Sequence, residues 1–428
     1  MKKLKMRKVM MTIKCDVAVI GAGASGMIAA GFSAMRGLNV ILIERNPRPG
    51  RKIMITGKGR CNVTNDCDLN TFMENVPTGG KFLYGAFTRF PPKSLMDFIE
   101  KLGVPLKVER GRRVFPKSDK AVDIVDALHS FDIKSGCRTV LGHAVSLILE
   151  DGSVRGVRME DGTEVLSRAV IVCTGGKSYP LTGSTGDGYE FASLSGHTVT
   201  ALRPSLVPIE TEEDWPKELM GLSLRNVVLE VTDMRRHKTV FKELGEMLFT
   251  HFGVTGPLVL SASALMRDIQ TLESGKYKFN IDLKPALSPE QLDKRLQRDF
   301  TENANRDFIN SLGGLLPAKL VPVFVRLSGI PAHTKANQIT KEQRAAAVSL
   351  LKHLELTAKN FRPIEEAVIT SGGVRLKEIN PATMESKIIK GLYFAGEILD
   401  VDAYTGGYNL QIAFCTGHSA GISVLSDS

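Results

Sequence analysis

The glycines of the run D-V-A-V-I-G-A-G-A-S-G, which begins at Asp16, have the spacing of a phosphate-binding loop. Gly21, Gly23 and Gly26 form G-x-G-x-x-G directly after a short run typical of a buried strand. In this pattern the first glycine makes a tight turn, the second lets the backbone approach a pyrophosphate, and the third allows close helix packing. The N-terminus of the helix then faces the phosphates. The run therefore predicts a bound dinucleotide.

Glu44 lies 23 residues after Gly21, at the end of a second apolar strand, Val40 to Ile43. A carboxylate at this position accepts hydrogen bonds from the adenosine ribose hydroxyls, which favours a free ribose over a 2′-phosphate. FAD and NAD share this fingerprint, so the identity of the dinucleotide depends on other parts of the chain.

Near the C-terminus, the run G-L-Y-F-A-G-E (Gly391–Glu397) is a strand that ends in a glycine and an acid. It resembles the second FAD signature of the glutathione-reductase-like flavoproteins, which implies that Gly396 and Glu397 hold the ribityl and pyrophosphate groups. The next run, G-G-Y-N-L-Q (Gly406–Gln411), begins a helix whose positive dipole end favours an anionic reduced flavin, although a simple turn would also use such glycines. We expect cofactor contacts here from Gly407, Tyr408, Asn409 and Leu410.

A third glycine-rich block, T-G-G then S-Y-P-L-T-G-S-T-G-D-G-Y (Ser178–Tyr189), follows the apolar strand Ala169 to Cys173. It resembles the T-G-D-G region of the fumarate reductase and aspartate oxidase flavoproteins. That resemblance implies that Asp187 and Gly188 approach the adenosine side of the cofactor, with backbone contacts from Thr174, Gly175 and Gly176. A capped helix after a flexible loop would explain Asp187 alone.

Residues 46–67 are predicted to form a long loop rich in Gly, Lys and Arg, and such loops inside compact domains are more often functional than idle. Three basic side chains have the charge to pair with a pyrophosphate or a substrate phosphate: Arg51, Lys52 and Arg60. Three polar side chains have groups that can bond the isoalloxazine edge: Asn62, Thr64 and Asn65. The alternative is a loop whose Asn and Thr side chains bond their own backbone.

Two residues are candidates for catalysis. Cys61 is expected near the flavin beside Arg60, whose charge would lower the pKa of the thiol. The alternative for Cys61 is a small packed side chain. His251, in a Gly- and Pro-rich turn, is positioned to protonate a substrate carbon or carbonyl after hydride delivery, or else serves only to order its segment.

The loop Gly50–Asn65, together with T-M-E-S-K (Thr383–Lys387) and F-T-H-F-G-V-T-G-P (Phe249–Pro257), resembles the BaiN/YhiN-like (HI-type) family of NAD(P)/FAD-dependent oxidoreductases. The resemblance covers nearly the full chain and implies an FAD domain with a β-barrel insert and a small helical insert. It also implies NAD(P)H-linked reduction, since members are associated with bile-acid C=C reduction and with dihydrouridine formation in ribosomal RNA. The expected cofactor contacts also include Arg45, Gly59 and Val145.

The elements that position these residues are typical of a glutathione-reductase-like, Rossmann-type α/β fold. D-G turns at Asp151–Gly152 and Asp161–Gly162 predict a meander of hairpins. After about residue 195 the pattern becomes β-rich, with helical periodicity in residues 289–325. We expect an FAD-binding domain of residues 1–194 and 363–428, interrupted at residues 195–362 by a β-barrel-like domain with a helical subdomain at about 285–345.

Composition restricts the class of protein. The chain of 428 residues has 43% apolar residues, and no run approaches the roughly 20 apolar residues that span a membrane. Its six cysteines include no C-x-x-C pair and no zinc-like spacing, so neither a metal nor a dithiol centre is expected. The absence of a leader pattern favours a cytoplasmic protein, with residues 1–10 dispensable to the fold or a mis-assigned start.

The net charge of +10 is concentrated in residues 1–60, which hold 13 Lys or Arg against two acids, Asp16 and Glu44. A basic face of this kind attracts RNA. A solvated tail, combined with loops that bind the cofactor pyrophosphate, would give the same count.

Three functions are consistent with these features. In the first, NAD(P)H reduces FAD and the reduced flavin delivers hydride to an activated C=C or C=O; because no second G-x-G-x-x-G exists, the nicotinamide docks transiently. In the second, the same reduced flavin saturates a uridine of ribosomal RNA, guided by Arg51 and Lys52. In the third, FAD is structural in a non-catalytic binding protein. The substrate is thus a small molecule or rRNA.

Overall fold

The computed structural model describes residues 11–266 and 275–426. Residues 1–10, which the sequence suggests are dispensable, lie outside the described residues. The chain divides into two compact units, one of Met1–Ser205 with Ile364–Ser428 and the other of Leu206–Pro363. The domain boundaries expected from the sequence, after residues 194 and 362, stay a prediction.

The elements are numbered along the whole chain. The first unit contains the strands β1 Thr12–Lys14, β2 Val17–Ile20, β3 Val40–Glu44, β4 Thr64–Asn65, β5 Leu106–Glu109, β6 Arg113–Pro116, β7 Arg138–Leu141, β8 Ala144–Glu150, β9 Ser153–Met159, β10 Glu164–Leu166, β11 Ala169–Val172, β12 Arg203–Ser205, β19 Ile369–Ser371 and β20 Leu392–Phe394. Its helices are α1 Ala24–Met35, α2 Arg51–Ile55, α3 Leu69–Glu74, α4 Gly80–Arg89, α5 Pro92–Lys101, α6 Ala121–Lys134, α7 Asp187–Leu194 and α14 Tyr408–Ser423.

A five-stranded parallel sheet of order β20-β11-β2-β3-β7 forms the centre of this unit. Strands β2, β3 and β11 are fully buried and apolar except for Glu44 at the end of β3, as expected for parallel strands covered on both faces. The antiparallel hairpins of the meander form a separate sheet of order β1-β10-β9-β8. The predicted Rossmann-type fold is confirmed, and because the central strands are parallel, their carboxyl ends meet at one edge.

Helices α1 and α14 pack closely against each other because small residues line their contact. A Cβ on Gly417 would lie 2.4 Å from the Ser25 carbonyl oxygen, and one on Gly421 would lie 2.7 Å from the Ala29 oxygen. Only glycine fits at such distances. The last helix of the chain is thereby fixed beside the first glycine loop.

The segment of residues 46–67 is more structured than the sequence predicts. It contains α2, a short 3₁₀ turn at Thr56–Gly59 and β4. Gly50 begins α2 in the left-handed region with φ of 67°, and Gly57 and Lys58 also have positive φ. Elements of two to five residues are too short for sequence periodicity to reveal, so the expectation of one irregular loop is wrong.

The second unit is built on a closed antiparallel barrel. Its strands are ordered β13-β16-β15-β14-β17-β18 and comprise β13 Ile209–Thr211, β14 Ser223–Asp233, β15 Lys238–Phe249, β16 Gly253–Thr255, β17 Tyr277–Asp282 and β18 Leu354–Phe361. Its helices are α8 Trp215–Glu218, α9 Pro257–Leu265, α10 Pro289–Glu302, α11 Phe308–Ser311, α12 Val321–Ser328 and α13 Lys341–Lys352. The predicted barrel and helical parts are both present.

Candidate functional site

A cleft opens at the carboxyl edge of the central sheet, entirely within the first unit. Its empty volume, including space open to solvent, is about 1310 Å³. Several residues predicted to bind a cofactor line it: Gly21, Gly23, Glu44, Arg45, Arg51, Lys52, Thr174, Gly175, Asp187, Glu397, Asn409 and Leu410. The other predicted contacts do not line it: Gly26, Gly59, Arg60, Asn62, Thr64, Asn65, Val145, Gly176, Gly396, Gly407 and Tyr408.

The first glycine loop has the geometry of a phosphate-binding turn. Gly21 adopts a φ of 96°, and a Cβ on Gly26 would lie only 1.8 Å from the Gly21 carbonyl oxygen. A Cβ on Gly23 would meet nothing within 4 Å, because this backbone faces the cleft. Gly23 caps α1 without a side-chain hydrogen bond. The N–H groups at this helix end are therefore available to an anion.

Glu44 is held at the end of β3 by two sets of hydrogen bonds. One carboxylate oxygen accepts a bond of 2.8 Å from the Ala22 N–H, which ties the acid to the glycine loop. The other accepts bonds of 2.8 Å from the Asn46 backbone N–H and side-chain amide. This fixed, buried acid beside the glycine loop matches the ribose-binding position expected from the sequence.

Asp187 is the centre of a polar cluster that sequence reasoning found only in part. His143 Nε2 lies 2.8 Å from its carboxylate, and Arg45 lies 3.1 Å from the same oxygen. Thr185 donates a bond of 2.7 Å to the other oxygen. Partial burial opposes ionisation, but the hydrogen bonds from His143 and Thr185 and the charge of Arg45 outweigh it and lower the pKa of Asp187.

The meander contributes different residues to the cleft from the one expected. Val145 is 41% exposed and does not line the cleft, whereas the preceding residues Gly142, His143 and Ala144 do. The sequence carries no motif at this position that would identify which residue of the segment points inward.

A second polar cluster surrounds Glu397, which follows β20. Lys52 Nζ lies 2.6 Å from one carboxylate oxygen, and Ser178 Oγ donates to the other at 3.1 Å. The Thr370 N–H donates to that second oxygen at 2.9 Å. A Cβ on Gly176 would lie 2.6 Å from Glu397 Oε1, so glycine is required there for the carboxylate to approach. The three segments carrying Lys52, Ser178 and Glu397 thus meet at one point of the cleft.

The N-terminus of α14 borders the opposite part of the cleft through Asn409 and Leu410. Gly407 begins the helix with a φ of 100° and no side-chain cap, and a Cβ there would lie 2.4 Å from Thr64. Thr64 itself donates to Gln411 at 2.6 Å. These contacts hold β4 against the helix. The uncapped N–H groups of α14 can therefore stabilise negative charge in the cleft.

Arg60 is not placed as expected, whereas the contact predicted for Asn62 stays a prediction. Arg60 forms ion pairs with Glu109 and Asp119 and lies 4.1 Å from the centre of the Phe115 ring, so it does not face the cleft. The Asn62 Oδ1 atom is buried without a hydrogen-bond partner among the described residues. Arg51 remains at the cleft, where it donates to Asn46 at 2.9 Å.

The two catalytic candidates have different surroundings. Cys61 is fully buried, and burial raises the pKa of its thiol to about 12. The expected lowering of this pKa by Arg60 is wrong, since the guanidinium is engaged by Glu109 and Asp119. His251 belongs to the second unit, where its exposed ring contacts Phe252 at 4.9 Å between ring centres. Its role in catalysis stays a prediction.

The residues of the cleft fit a dinucleotide. The Thr174 Oγ1 atom is buried at the cleft without a partner among the described residues, and the space beside Gly23 is open. The uncapped N–H groups of two helix ends can donate hydrogen bonds to such a ligand, and two fixed carboxylates, Glu44 and Glu397, can accept them.

No described group of three or more His, Cys, Asp or Glu side chains is arranged to hold a metal ion. No described helix is long and apolar enough to cross a membrane.

Comparison with known proteins identifies the family. The model of the HI0933-like protein Rossmann domain matches residues 15–423. The chain is 30% identical over 410 residues to the 3-dehydro-bile acid delta(4,6)-reductase of Clostridium scindens, with 95% of this chain and 98% of that protein covered. It is 30% identical over 401 residues to the ribosomal RNA dihydrouridine synthase of Escherichia coli, with 93% of this chain and 95% of that protein covered.

Among solved structures, a quinol-fumarate reductase with menaquinol molecules matches with a TM-score of 0.52 at 15% identity. The match covers 97% of this chain and 72% of that chain, and it supports the fold alone. The family match over residues 15–423 supports FAD as the cofactor. Because the relatives matched along nearly their whole length are enzymes, the hypothesis of a non-catalytic binding protein is rejected. This chain belongs to the HI0933-like Rossmann-domain family and is an FAD-dependent oxidoreductase.

Proposed function

We propose that this oxidoreductase saturates a C=C bond conjugated to a carbonyl group, with NAD(P)H as a transient electron donor. The names of the two relatives support this substrate class. A 3-dehydro bile acid with delta(4,6) unsaturation has its double bonds conjugated to the 3-oxo group. Dihydrouridine forms from uracil, whose C5=C6 bond is conjugated to a carbonyl. Two substrates of very different size thus share one electrophilic group.

We propose that residues of the cleft hold the successive parts of FAD as the sequence predicted. The Gly21–Gly26 loop and the α1 N-terminus bind the pyrophosphate, and Glu44 accepts from the adenosine ribose. Glu397, fixed by Thr370 and Ser178, accepts from the ribityl side. Bound FAD supplies hydride once reduced. The N-terminus of α14 stabilises the negative charge that accompanies this reduced state.

The reaction also requires a proton donor. Hydride addition to the β-carbon places negative charge on the conjugated carbonyl, and the α-carbon must then receive a proton. Among the predicted candidates, Cys61 is buried outside the cleft lining, whereas His251 is exposed in a turn between β15 and β16. Of the two candidates predicted from the sequence, we retain His251 as the proposed acid, because an imidazole is the side chain most often used for such proton transfer. The cytoplasmic location expected from the sequence belongs to this proposal, because it gives access to NAD(P)H.

Anaerobic reduction of the holoenzyme tests the donor and the substrate separately. We expect NADH or NADPH to bleach the flavin absorbance, and a 3-oxo-Δ4 steroid or a uridine-containing RNA to restore it with formation of the saturated product. Failure of both nucleotides removes the nicotinamide part of the proposal. If chemically reduced enzyme transfers no hydride to either class of conjugated substrate, the substrate class itself is wrong.

A second candidate is the narrower activity of an rRNA dihydrouridine synthase. It is favoured by identity to the E. coli synthase along nearly the whole chain and by the net charge of +10. Arg51 and Lys52, which the sequence suggested would guide the RNA, are engaged with Asn46 and Glu397 inside the cleft. Loss of one dihydrouridine from rRNA in a deletion strain would support this activity, and unchanged rRNA would exclude it.

A further inference from the structure

The hairpin between β5 and β6 carries three arginines in the run R-G-R-R, at Arg110–Arg113. Its tip is a tight turn in which Gly111 has a φ of 76° and Arg112 a φ of 57°. A left-handed conformation at a residue other than glycine costs roughly 1 kcal/mol. The turn thus holds a long charged side chain where glycine would be the less strained choice. Strained positions of this kind are frequent at functional sites.

The arginines at the tip form no described ion pairs, because the carboxylates beside them pair with other basic side chains. Arg110, Arg112 and Arg113 are all exposed, and no carboxylate among the described residues forms an ion pair with any of them. The nearest carboxylate is that of Glu109, which directly precedes the tip and lies opposite Arg113 in the β5–β6 ladder, but it pairs with Arg60 and Lys107 instead. Asp119, which follows β6, also pairs with Arg60 and lies 2.7 Å from Lys107. The carboxylates beside the hairpin are therefore engaged by other basic side chains.

The tip is fixed beside the flavin-binding helix. The Asn65 side-chain amide donates one bond of 3.0 Å to the Gly111 carbonyl oxygen and another of 3.0 Å to the Gly406 oxygen. Asn65 also pairs with Arg113 in the β4–β6 ladder. One side chain therefore links the arginine turn to the loop that begins α14. The cleft is bordered by the first turn of that helix, at Asn409 and Leu410.

We propose that the Arg110–Arg113 turn binds the phosphodiester backbone of an RNA whose uracil enters the cleft. This inference rests on the second candidate function. Guanidinium groups recognise phosphate oxygens through paired hydrogen bonds, and successive phosphates require several cations in a row. A bile acid carries at most a single terminal acid and would leave two of the three arginines without a partner. Charge complementarity therefore favours a polyanion.

The test compares two triple variants of the holoenzyme that lose the same charge. One is Arg110→Gln, Arg112→Gln and Arg113→Gln; the matched control is Lys101→Gln, Lys134→Gln and Arg138→Gln, all exposed and without described ion pairs. Binding of an rRNA fragment is measured over a range of KCl concentrations. We expect the tip variant to flatten the slope of log K against log salt by about 2, roughly 0.7 per lost phosphate contact. The control should retain the wild-type slope.

A single variant controls for the possibility that the triple substitution misfolds the turn. Arg112→Gly relieves the left-handed strain, so it should keep the melting temperature while still flattening the salt slope by roughly 0.7. Flavin reduction by NAD(P)H is expected to be unchanged in all tip variants. A raised KM for NADPH with unaltered RNA binding would overturn the inference, because the turn would then be a site for the dinucleotide's phosphates.

The remaining outcomes separate the inference from the function on which it rests. Equal loss of RNA affinity in the tip and control variants would overturn the inference, because net charge would then explain the binding. Wild-type enzyme that forms dihydrouridine in rRNA, together with an equally active and equally salt-dependent tip variant, would overturn the inference alone. Wild-type enzyme that neither binds nor modifies rRNA would remove the candidate function and the inference with it.

Discussion

Lys52 and Glu397, which are 345 positions apart in the sequence, form an ion pair of 2.6 Å at the wall of the cofactor cleft. Both side chains are largely shielded, with exposed fractions of 23% and 15%. Ser178 bonds to both partners, at 2.6 Å to Lys52 and 3.1 Å to Glu397. The pair therefore joins the α2 segment to the segment after β20 and fixes the carboxylate that we assign to the ribityl side of FAD.

Removal of one partner should cost more than removal of both. Glu397→Gln leaves the Lys52 ammonium shielded without its counter-charge, and we expect the free energy of unfolding of the apoprotein to fall by about 3 kcal/mol. Lys52→Met combined with Glu397→Gln should recover part of this loss. Urea unfolding of the two single variants and the double variant completes the cycle. Additive losses would mean that the two residues are not coupled.

Two glycines of the first loop should respond differently to alanine. In Gly26→Ala the new Cβ would lie 1.8 Å from the Gly21 oxygen, and we expect a loss of stability of at least about 2 kcal/mol even without cofactor. In Gly23→Ala the Cβ meets no protein atom within 4 Å, so the apoprotein should remain stable. It would occupy space at the proposed pyrophosphate site, and FAD affinity should fall at least tenfold.

Apoprotein unfolding and FAD titration distinguish these two effects. Gly23→Ala serves as the control for Gly26→Ala in the unfolding experiment, since both add one methyl group to the same loop. Unimpaired FAD binding by a folded Gly23→Ala variant would show that the pyrophosphate does not lie against this backbone.

Local patterns predicted the cofactor fold well because each of its signals lies within a short segment. Strand β2, the glycine loop and Glu44 all lie within residues 17–44, and their order indicates a βαβ unit without reference to the rest of the chain. The same holds for the glycine turns at Thr174 and Gly406. These segments converge because all of them follow parallel strands of one sheet.

Side-chain partners supplied by distant segments were not predictable in the same way. Arg60 was expected to face phosphate, but it pairs with Glu109 at the end of β5 and with Asp119 after β6. His143 was overlooked because its partner Asp187 is 44 positions away and no spacing rule connects them. The direction in which a charged side chain points depends on such tertiary contacts, which composition and periodicity do not record.

Substitution of Cys61 and of His251 should show which of the two residues takes part in catalysis. Cys61 is buried outside the cleft lining and its thiol has a pKa of about 12, so Cys61→Ala should retain most of the rate of substrate reduction. His251→Gln should slow product formation at least tenfold while NAD(P)H still reduces the flavin at the normal rate. Rapid-mixing measurements of the two half-reactions test both. The assignment fails if Cys61→Ala stops turnover or His251→Gln leaves it unchanged.

His418 should make the stability of the protein depend on pH. Its ring stacks on Phe90 at 4.4 Å and contacts Phe32 at 4.6 Å, and its Nδ1 has no described hydrogen-bond partner. Burial, aided by the charge of Arg89, lowers the pKa of His418 from 6.5 to about 4. Between these values the unfolded chain binds a proton that the folded chain does not. The contribution of the neutral His418 ring to the free energy of unfolding is therefore fully present above pH 6.5, and it is lost as the pH decreases towards 4.

His418→Phe keeps an aromatic ring between Phe32 and Phe90 and removes the titrating group. We expect this variant to lose less stability than the wild type between pH 7 and pH 4.5, measured by urea unfolding at fixed ionic strength. His237→Gln, at an exposed position, is the matched control and should follow the wild-type profile. Because other acids also titrate in this range, the informative quantity is the difference between the variant and wild-type slopes. Parallel profiles for His418→Phe and the wild type would show that the buried imidazole does not govern the acid sensitivity.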